Sequence, residues 1–361
     1  MLTKNKKYYY EFAKESDGEE ISKLIEKNSY KGPIELIYAK RPNAYNSLLS
    51  ENQNMAIVVG KSTQTNKILG MGICTINECQ CEGKTEKIAY LCGFRIPYDV
   101  KGDIITCYKM LGDFCKSNNV KYTYTTVLDD NIEAKNMFSK KRKYLPEYIE
   151  NSKYVVNFFG KNLSQISNLK CSKIKESEID KLYEFINTES KNKNFFLNIT
   201  EKILKEDFFN LSWKDFYILK DNNDNILCCG LLWNQTKYKQ LIVKKYSNLY
   251  KFLRIVAIPI FNFLHLPKPP KENSIINYQT LSFVLSKDNS PVYLEDFVRK
   301  MSLNIDNKNG FFVYASTENA PEAKNILKIS KFKYCSTVYI VNWDKTEINN
   351  INPLYIECGM L

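Results

Sequence analysis

Residues 131–138 read NIEAKNMF, and the core of this stretch returns later in the chain as PEAKNIL at residues 321–327. The four letters EAKN recur at a separation of 322 − 133 = 189 residues. The first copy opens a helix predicted over residues 131–142. We therefore examined the rest of the chain for a second copy of its neighbours.

Two further pairs of matching segments lie earlier in the chain, at a separation of 158 residues. EISKLI at 20–25 matches EIDKLY at 178–183, and both have the spacing of an amphipathic helix. KILGMG at 67–72 matches NILCCG at 225–230, and each follows a polar turn, as the second strand of a hairpin does. Phe94 also matches Phe283 at the larger separation, 189. Ordered matches at only two separations indicate an internal duplication.

The change of separation, 189 − 158 = 31 residues, predicts an insertion in the second half between about residues 230 and 276. The repeating unit mixes strands with interposed helices, which predicts an α/β fold (an α+β mixed sheet) with helices on both faces. We expect two tandem domains, residues 1–160 and 161–361, the second with its insertion near 232–275. In the first unit we predict strands at 7–12, 55–60, 67–75, 87–96, 121–127 and 153–159, and helices at 18–28, after Pro42, at 102–118 and at 131–142.

Composition is that of a folded globular protein, with 44% hydrophobic and 25% charged residues among 361. The net charge of +12 comes from 52 Lys and Arg against 40 Asp and Glu. Such an excess suits nucleic acid, an anionic membrane or a phosphorylated cofactor, or it is simply a solvated lysine-rich surface. The basic residues show no interleaved aromatic pattern, so we do not expect a nucleic-acid partner.

Eleven cysteines and a single histidine, His265, limit the chemistry available to the chain. An odd number of cysteines fits no complete disulfide framework, and no pair has zinc-finger spacing. We expect reduced thiols, no metal site and a cytoplasmic location. The N-terminal residues lack the apolar stretch of a signal peptide.

Residues 252–266 form the most apolar segment of the insertion, about 15 residues interrupted by Arg254, Pro259 and Asn262. A membrane-spanning helix needs about 20 apolar residues. We therefore expect this segment to be buried in the protein, and not to enter a membrane.

The order of elements, together with the motif at 131–138, resembles the GNAT family of N-acetyltransferases. That family has an N-x-x-A-x-x-L-Y helix beside the pantetheine arm of bound acyl-CoA. YLPEY at 144–148 is similar to the ending of large tandem members, and YLCGFRI at 90–96 looks like the family's fourth strand. The resemblance implies two tandem acyl-CoA N-acyltransferase folds, with acetyl-CoA as acyl donor and an amine on a small molecule or peptide as acceptor.

A pyrophosphate suits free backbone N–H groups at a helix N-terminus. The family's Q/R-x-x-G-x-G/A loop corresponds to residues 101–106, where Lys101 takes the basic position and Gly102 remains, while Ile104 and Thr106 replace small residues. The second half has no glycine at residues 285–291, so we do not expect a second CoA site. The resemblance implies cofactor contacts at Phe94, Arg95, Ile96, Lys101, Gly102, Asp103, Ile104, Ile105, Thr106, Asn131 and Phe138.

Proton transfer is where the sequence departs from the family. The tyrosine that protonates the departing thiolate is replaced by Phe138, and by Leu327 in the second half. Tyr90 is the candidate catalytic residue, with a core position as the alternative, and it shares one strand face with Cys92. The leading function is acyl transfer to an amine. The alternatives are a binding or sensory protein on the same fold and a transferase acting on a tRNA-borne or peptidoglycan substrate.

Overall fold

The fold was examined in a computed structural model, which describes residues 7–31, 34–95, 104–140, 142–206, 209–248, 250–251, 270–306, 310–330, 332–348 and 351–361. The apolar segment 252–266 lies outside the described residues, so its predicted burial stays a prediction.

The elements of the first half follow the predicted order, with two strands, β2 and β3, that the sequence did not predict. The strands are β1 Tyr8–Phe12, β2 Ser29–Tyr30, β3 Ile34–Ala39, β4 Met55–Ser62, β5 Ile68–Cys81, β6 Lys84–Arg95, β7 Tyr122–Leu128 and β8 Glu147–Gly160. The helices are α1 Gly18–Glu26, α2 Ala44–Glu51, α3 Ile104–Ser117 and α4 Ile132–Phe138. Helix α4 ends four residues before the predicted end, at the last residue of the motif.

The second half repeats this order. Its strands are β9 Lys170–Lys173, β10 Phe216–Lys220, β11 Ile226–Trp233, β12 Gln240–Tyr246, β13 Tyr278–Ser286, β14 Phe311–Thr317 and β15 Phe332–Asn342. Its helices are α5 Ile179–Ser190, α6 Glu201–Lys205, α7 Pro291–Met301 and α8 Ile326–Ile329. The two EAKN segments follow β7 and β14, so the repeated motif occupies the same place in both halves.

All strands but three form one twelve-stranded sheet, in the order β1-β4-β5-β6-β7-β15-β8-β14-β13-β11-β10-β9. Its pairs are antiparallel except β6–β7 and β13–β14, which confirms the predicted mixed sheet. The last strand of each half is inserted into the other half: β15 lies between β7 and β8, and β8 lies between β15 and β14. The domain boundary at residue 160 stays a prediction, because the hydrogen-bonded sheet runs through both halves.

The insertion of the second half also reaches the first half. Strand β12 pairs with β3, and together with β2 they form a separate three-stranded sheet. Gln240 lies opposite Ala39, and Tyr246 lies opposite Ile34. One wall of the space between the halves is therefore made by the insertion.

Helices cover the first half of the large sheet on both faces. Helix α3 buries Cys107, Leu111 and Cys115 against strand residues that include Ala89 and Leu91. On the other face, α1 and α2 bury Ile21, Ile25, Ala44 and Leu48 against β4 and β5. The two faces of β6 thus belong to different cores, and β6 lies at the centre of the first half.

Candidate active site

The parallel strands β6 and β7 separate soon after they meet. They pair over only three residues, with Tyr90 opposite Tyr124 as the last pair. Both strands continue beyond it, β6 to Arg95 and β7 to Leu128. The backbone of residues 92–95 therefore borders an opening in the sheet, where an extended ligand can add to the strand edge.

A β-bulge lies on β6 beside this opening. Met71 of β5 pairs with Arg95 and Ile73 pairs with Cys92, so residues 93 and 94 face the single residue Gly72. Gly93 has φ +64°, a left-handed conformation that glycine adopts at low cost. A bulge of this kind leaves one residue of the strand without a partner in the ladder.

Strand β13 repeats the bulge, which corrects one detail of the sequence comparison. Leu231 pairs with Ser282 and Cys229 with Leu285, so the register makes Phe283 equivalent to Gly93. The predicted equivalence of Phe94 and Phe283 is one residue off, because the separation is 278 − 88 = 190 on this strand. Phe283 adopts the same left-handed φ, +53°.

Tyr90 and Tyr124 close the lower end of the opening. Their rings stack with centroids 4.9 Å apart, and the Tyr90 hydroxyl is 3.0 Å from the Thr126 hydroxyl. Burial raises the pKa of Tyr90, so this residue stays protonated at neutral pH. The geometry fits a structural side chain beside the site, and the catalytic role of Tyr90 stays a prediction.

Cys92 lies on the α1/α2 face of β6, among polar groups from both halves. Burial raises the pKa of its thiol to about 12, an effect that the charges of Lys40 and Lys239 oppose. A thiol with this pKa is protonated at neutral pH and is a poor nucleophile. We conclude that Cys92 lines the site and does not act as its nucleophile.

A buried ion pair stands beside Cys92. Lys40 and Glu51 are 3% and 8% exposed, and the Lys40 ammonium donates a hydrogen bond to one Glu51 oxygen. The other oxygen, Oε1, has no hydrogen-bond partner among the described residues. Burial lowers the pKa of Lys40, and the Glu51 carboxylate opposes that shift. Sequence reasoning missed this pair, because Lys40 follows β3 and Glu51 ends α2, two positions that no spacing rule relates.

On the α3 face, a small open pocket of about 20 Å³ adjoins the bulge. Gly60, one of the residues that line it, leaves this space free, because a Cβ there would lie 2.9 Å from the Tyr10 ring. Arg95 also borders the pocket, and its Nη1 donates to the Phe94 carbonyl at 3.0 Å. The pocket is lined by Tyr8, Tyr10, Gly60, Leu69, Gly70, Met71, Phe94, Arg95, Ile104 and Cys107.

A chain of aromatic contacts joins the bulge to Phe138. Phe94 stacks on Tyr108 with centroids 4.9 Å apart, and the Tyr108 hydroxyl is 2.7 Å from that of Tyr148. Tyr148 stacks on Phe138 at 3.6 Å, with the rings within 4° of parallel. Burial raises the pKa of both tyrosines. A pair of protonated hydroxyls therefore stands next to the position at which the sequence lacks one. Tyr148 is the last residue of the YLPEY motif, the signal that could have identified it.

Helix α4 is held by Asn131 and Asp129, which precede it in the chain. The Asn131 side chain caps it by accepting from Ala134 N at 3.1 Å. Asp129 accepts from Lys135 at 2.7 Å and from Lys153 at 3.0 Å. Burial by itself would raise the pKa of Asp129, but hydrogen bonds from Lys135, Thr337 and Lys153 outweigh it and lower the pKa to about 2. The Asn131 side chain is thus engaged within the protein.

The structure brings together part of the predicted cofactor site. Phe94 and Arg95 border the opening, and Phe138 is connected to Phe94 through Tyr148 and Tyr108. Ile104, Ile105 and Thr106 form the first turn of α3, in which Ile104 is buried and Ile105 is 39% exposed. Ile96, Lys101, Gly102 and Asp103 lie outside the described residues, so the predicted phosphate contacts stay predictions.

Metal and membrane features were searched over the same described ranges. Within them, no group of three or more His, Cys, Asp or Glu side chains is arranged to hold a metal ion. No helix there is long and apolar enough to cross a bilayer. All eleven cysteines are free thiols.

Sequence comparisons give no relative: no protein-family profile matches the chain, and no curated protein matches it. Solved structures do match. N-myristoyltransferase of Saccharomyces cerevisiae with bound myristoyl-CoA aligns at a TM-score of 0.57 and 9% identity, covering 94% of this chain and 84% of that chain. A structure of the same enzyme with myristoyl-CoA and inhibitors aligns at 0.56 and 9%, covering 94% and 81%. The chain therefore has the GNAT-type N-acyltransferase fold, and the likeness spans both halves.

Proposed function

We propose that this protein is an acyl-CoA-dependent N-acyltransferase that binds one acyl-CoA, in the first half, between β6 and α4. The observation that supports the proposal best is the opening between β6 and β7 with a glycine bulge at its edge, in a fold of the GNAT type. An extended pantetheine arm can pair with the exposed edge of β6 beyond Tyr90, as an added strand does. The bulge turns backbone N–H groups towards the place where negative charge develops on a thioester oxygen.

The acceptor enters from the α1/α2 face. That face holds Cys92, Lys40 and Glu51, and β12 of the second half borders it through its pairing with β3. We propose an amine on a small molecule or a peptide as acceptor. The amine must lose a proton before it attacks the thioester. Walls that exclude water from the site slow the competing hydrolysis of the thioester.

The acyl group predicted from the family resemblance is acetyl. The open pocket beside the bulge has a mostly apolar lining, which suits an acyl chain. The structural neighbour is described with myristoyl-CoA bound. We therefore propose a donor with an acyl chain longer than acetyl, which lies along this apolar lining.

Calorimetric titration with CoA, acetyl-CoA and myristoyl-CoA tests both proposals. We expect one binding site per chain, and tighter binding of myristoyl-CoA than of acetyl-CoA. Equal affinity for the two acyl-CoAs would contradict the longer acyl chain and favour acetyl-CoA as the donor. No binding of any of the three would refute the acyl-CoA site and leave a binding or sensory protein on this fold.

Turnover is measured by release of free CoA thiol from the better-bound acyl-CoA, in the presence of three amines. Spermidine, an α-blocked lysine and an alanine tetrapeptide with a free amino group sample small-molecule, side-chain and peptide acceptors. We expect one class to increase CoA release above the rate in buffer alone. Binding without any acceleration by an amine would contradict the transferase function.

A further inference from the structure

The second half has the same opening as the first, at β13 and β14. These parallel strands pair over three residues, ending with Thr280 opposite Val313, and then separate. The bulge at Phe283 stands at the edge, as the bulge at Gly93 does in the first half. A duplicated device of this kind offers backbone groups for a ligand in both halves.

In the second half the ligand is part of the chain itself. The carboxylate of Glu357 accepts from Phe283 N at 2.6 Å and from Gly359 N at 3.0 Å. The Tyr355 hydroxyl donates to the carbonyl of Val284, the residue after the bulge, at 2.8 Å. Segment 354–361 thus supplies partners to the backbone donor and the backbone acceptor that the bulge presents.

Burial shows how firmly this segment is seated. Glu357 is 7% exposed, and burial raises its pKa, while the hydrogen bonds from Gly359 N and Phe283 N oppose that shift. A Cβ added to Gly359 would lie 2.4 Å from the Trp233 ring. Thr317 Oγ1 donates to the Leu354 carbonyl at 2.9 Å. A buried carboxylate is costly unless it is hydrogen-bonded, and here Phe283 N of the bulge and Gly359 N of the segment provide the bonds.

The far end of the same segment lines the cleft of the first half. The Gly359 carbonyl accepts from Gln235 Nε2 at 2.7 Å and from Lys239 Nζ at 3.3 Å. Lys239 also donates to the Leu361 backbone oxygen. Gln240, the residue after Lys239, lies opposite Ala39 and accepts from Arg41 N at 3.0 Å, so Lys239 lies beside the stretch that carries Lys40. The charge of Lys239 acts on both Cys92 and Lys40.

We propose that the second bulge is an anchor: Glu357 is a positioning residue that binds there and holds segment 354–361 as a wall of the acceptor cleft. In the second half, segment 354–361 of the chain itself takes the place beside the opening between β13 and β14 that a cofactor would take in the first half. This inference rests on the proposed function only for the identity of the cleft, because the anchoring contacts are internal to the chain.

Cys358 is a built-in reporter of the anchor. It is half-buried, next to Glu357, and burial raises the pKa of its thiol to about 12. Glu357→Ala removes both acceptors, and Glu357→Gln keeps the shape but only one acceptor oxygen. We expect alkylation of Cys358 by iodoacetamide, followed by mass spectrometry, to accelerate about 10- to 100-fold in the alanine variant and less in the glutamine variant. Unchanged alkylation in both would overturn the anchor.

The control is Glu295→Gln, which removes a carboxylate from the α7 ion pair with Arg299, away from the segment. It should leave Cys358 alkylation at the wild-type rate. Alkylation accelerated equally in the control would show general loosening and overturn the specific role of Glu357. The more conservative Glu357→Gln keeps the test decisive if the alanine variant does not fold.

An activity measurement separates an effect on CoA binding from an effect on the amine acceptor. In Glu357→Gln we expect the dissociation constant of CoA to stay within about twofold, and kcat/KM for the most active of the three amines to fall at least about tenfold. A released segment with unchanged acyl transfer would overturn its role as a cleft wall. A wild-type protein without acyl transfer would refute the proposed function, and the alkylation rates would still decide whether Glu357 anchors the segment.

Discussion

Replacing Gly93 by alanine tests the bulge on which the proposed site depends. The φ of +64° costs a residue with a Cβ about 1–2 kcal/mol. The new Cβ would also lie 2.6 Å from Ile73 Cδ1, which must leave its preferred rotamer at a cost of about 0.5–1.5 kcal/mol. We expect Gly93→Ala to lower the free energy of unfolding by about 1.5–3.5 kcal/mol, the sum of these two effects.

Gly83 provides a matched control. It has a similar φ, +77°, but a Cβ added there meets nothing within 4 Å. Gly83→Ala should therefore show the backbone cost alone, about 1–2 kcal/mol. Urea unfolding, monitored by circular dichroism, gives the midpoint of each variant; the midpoints are compared where the dependence of the unfolding free energy on urea concentration is unchanged.

Ligand binding distinguishes the two glycines further. Gly93→Ala shifts the backbone of residues 93–95 and should weaken CoA binding in calorimetry, whereas Gly83→Ala should leave it unchanged. Equal destabilisation by both substitutions would refute the crowding at Ile73. A Gly93→Ala variant as stable as the wild type would refute the left-handed bulge itself.

Three further predictions concern the groups around the site. Phe138→Tyr restores a hydroxyl beside the Tyr148 ring and should raise the rate of CoA release, since acid assistance is typically worth about 10²–10⁴-fold. Tyr148→Phe should lower that rate. If neither variant changes the rate of CoA release, neither residue takes part in proton transfer. Asp129, with its lowered pKa, stabilises the fold above its ordinary pKa and loses this contribution as pH falls towards 2. Asp129→Asn should therefore destabilise by roughly 1–2 kcal/mol at pH 7 and by less at pH 3, and a gap in urea midpoints that does not shrink on acidification would contradict the assignment. Lys40→Ala leaves the Glu51 carboxylate buried without its cation and should cost about 3–5 kcal/mol, most of which Lys40→Met combined with Glu51→Leu should recover in the same unfolding assay.

The repeated segments determined much of the fold from sequence alone. The recurrence of EAKN and of two earlier segments gave the duplication, the mixed sheet and the place of the insertion. The strands and helices predicted in the first half lie within a few residues of their observed positions, except that β5, β8 and α4 differ more in length; β2 and β3 were not predicted. Local side-chain periodicity suffices for this, because it reports which residues share a face.

The candidate site was predicted in part for the same reason. Phe94 and Arg95 were found because they lie on a strand whose pattern is local. The Lys40–Glu51 pair, the Tyr108–Tyr148 hydroxyls and the contact of Glu357 with Phe283 join residues far apart in the chain, and no spacing rule relates them. The register error at Phe283 arose because a bulge adds one residue without changing the hydrophobic pattern.

By itself, the sequence determined the mixed-sheet fold and the order of its recurring segments, while the bounds of the two domains stay a prediction. The tertiary structure alone decided that β8 and β15 exchange between the halves, that β12 pairs with β3, and that segment 354–361 fills the second opening. The physical reason is that backbone hydrogen bonds join strands regardless of side-chain identity, so a strand's pattern fixes its faces but leaves its neighbours to the packing of the whole chain.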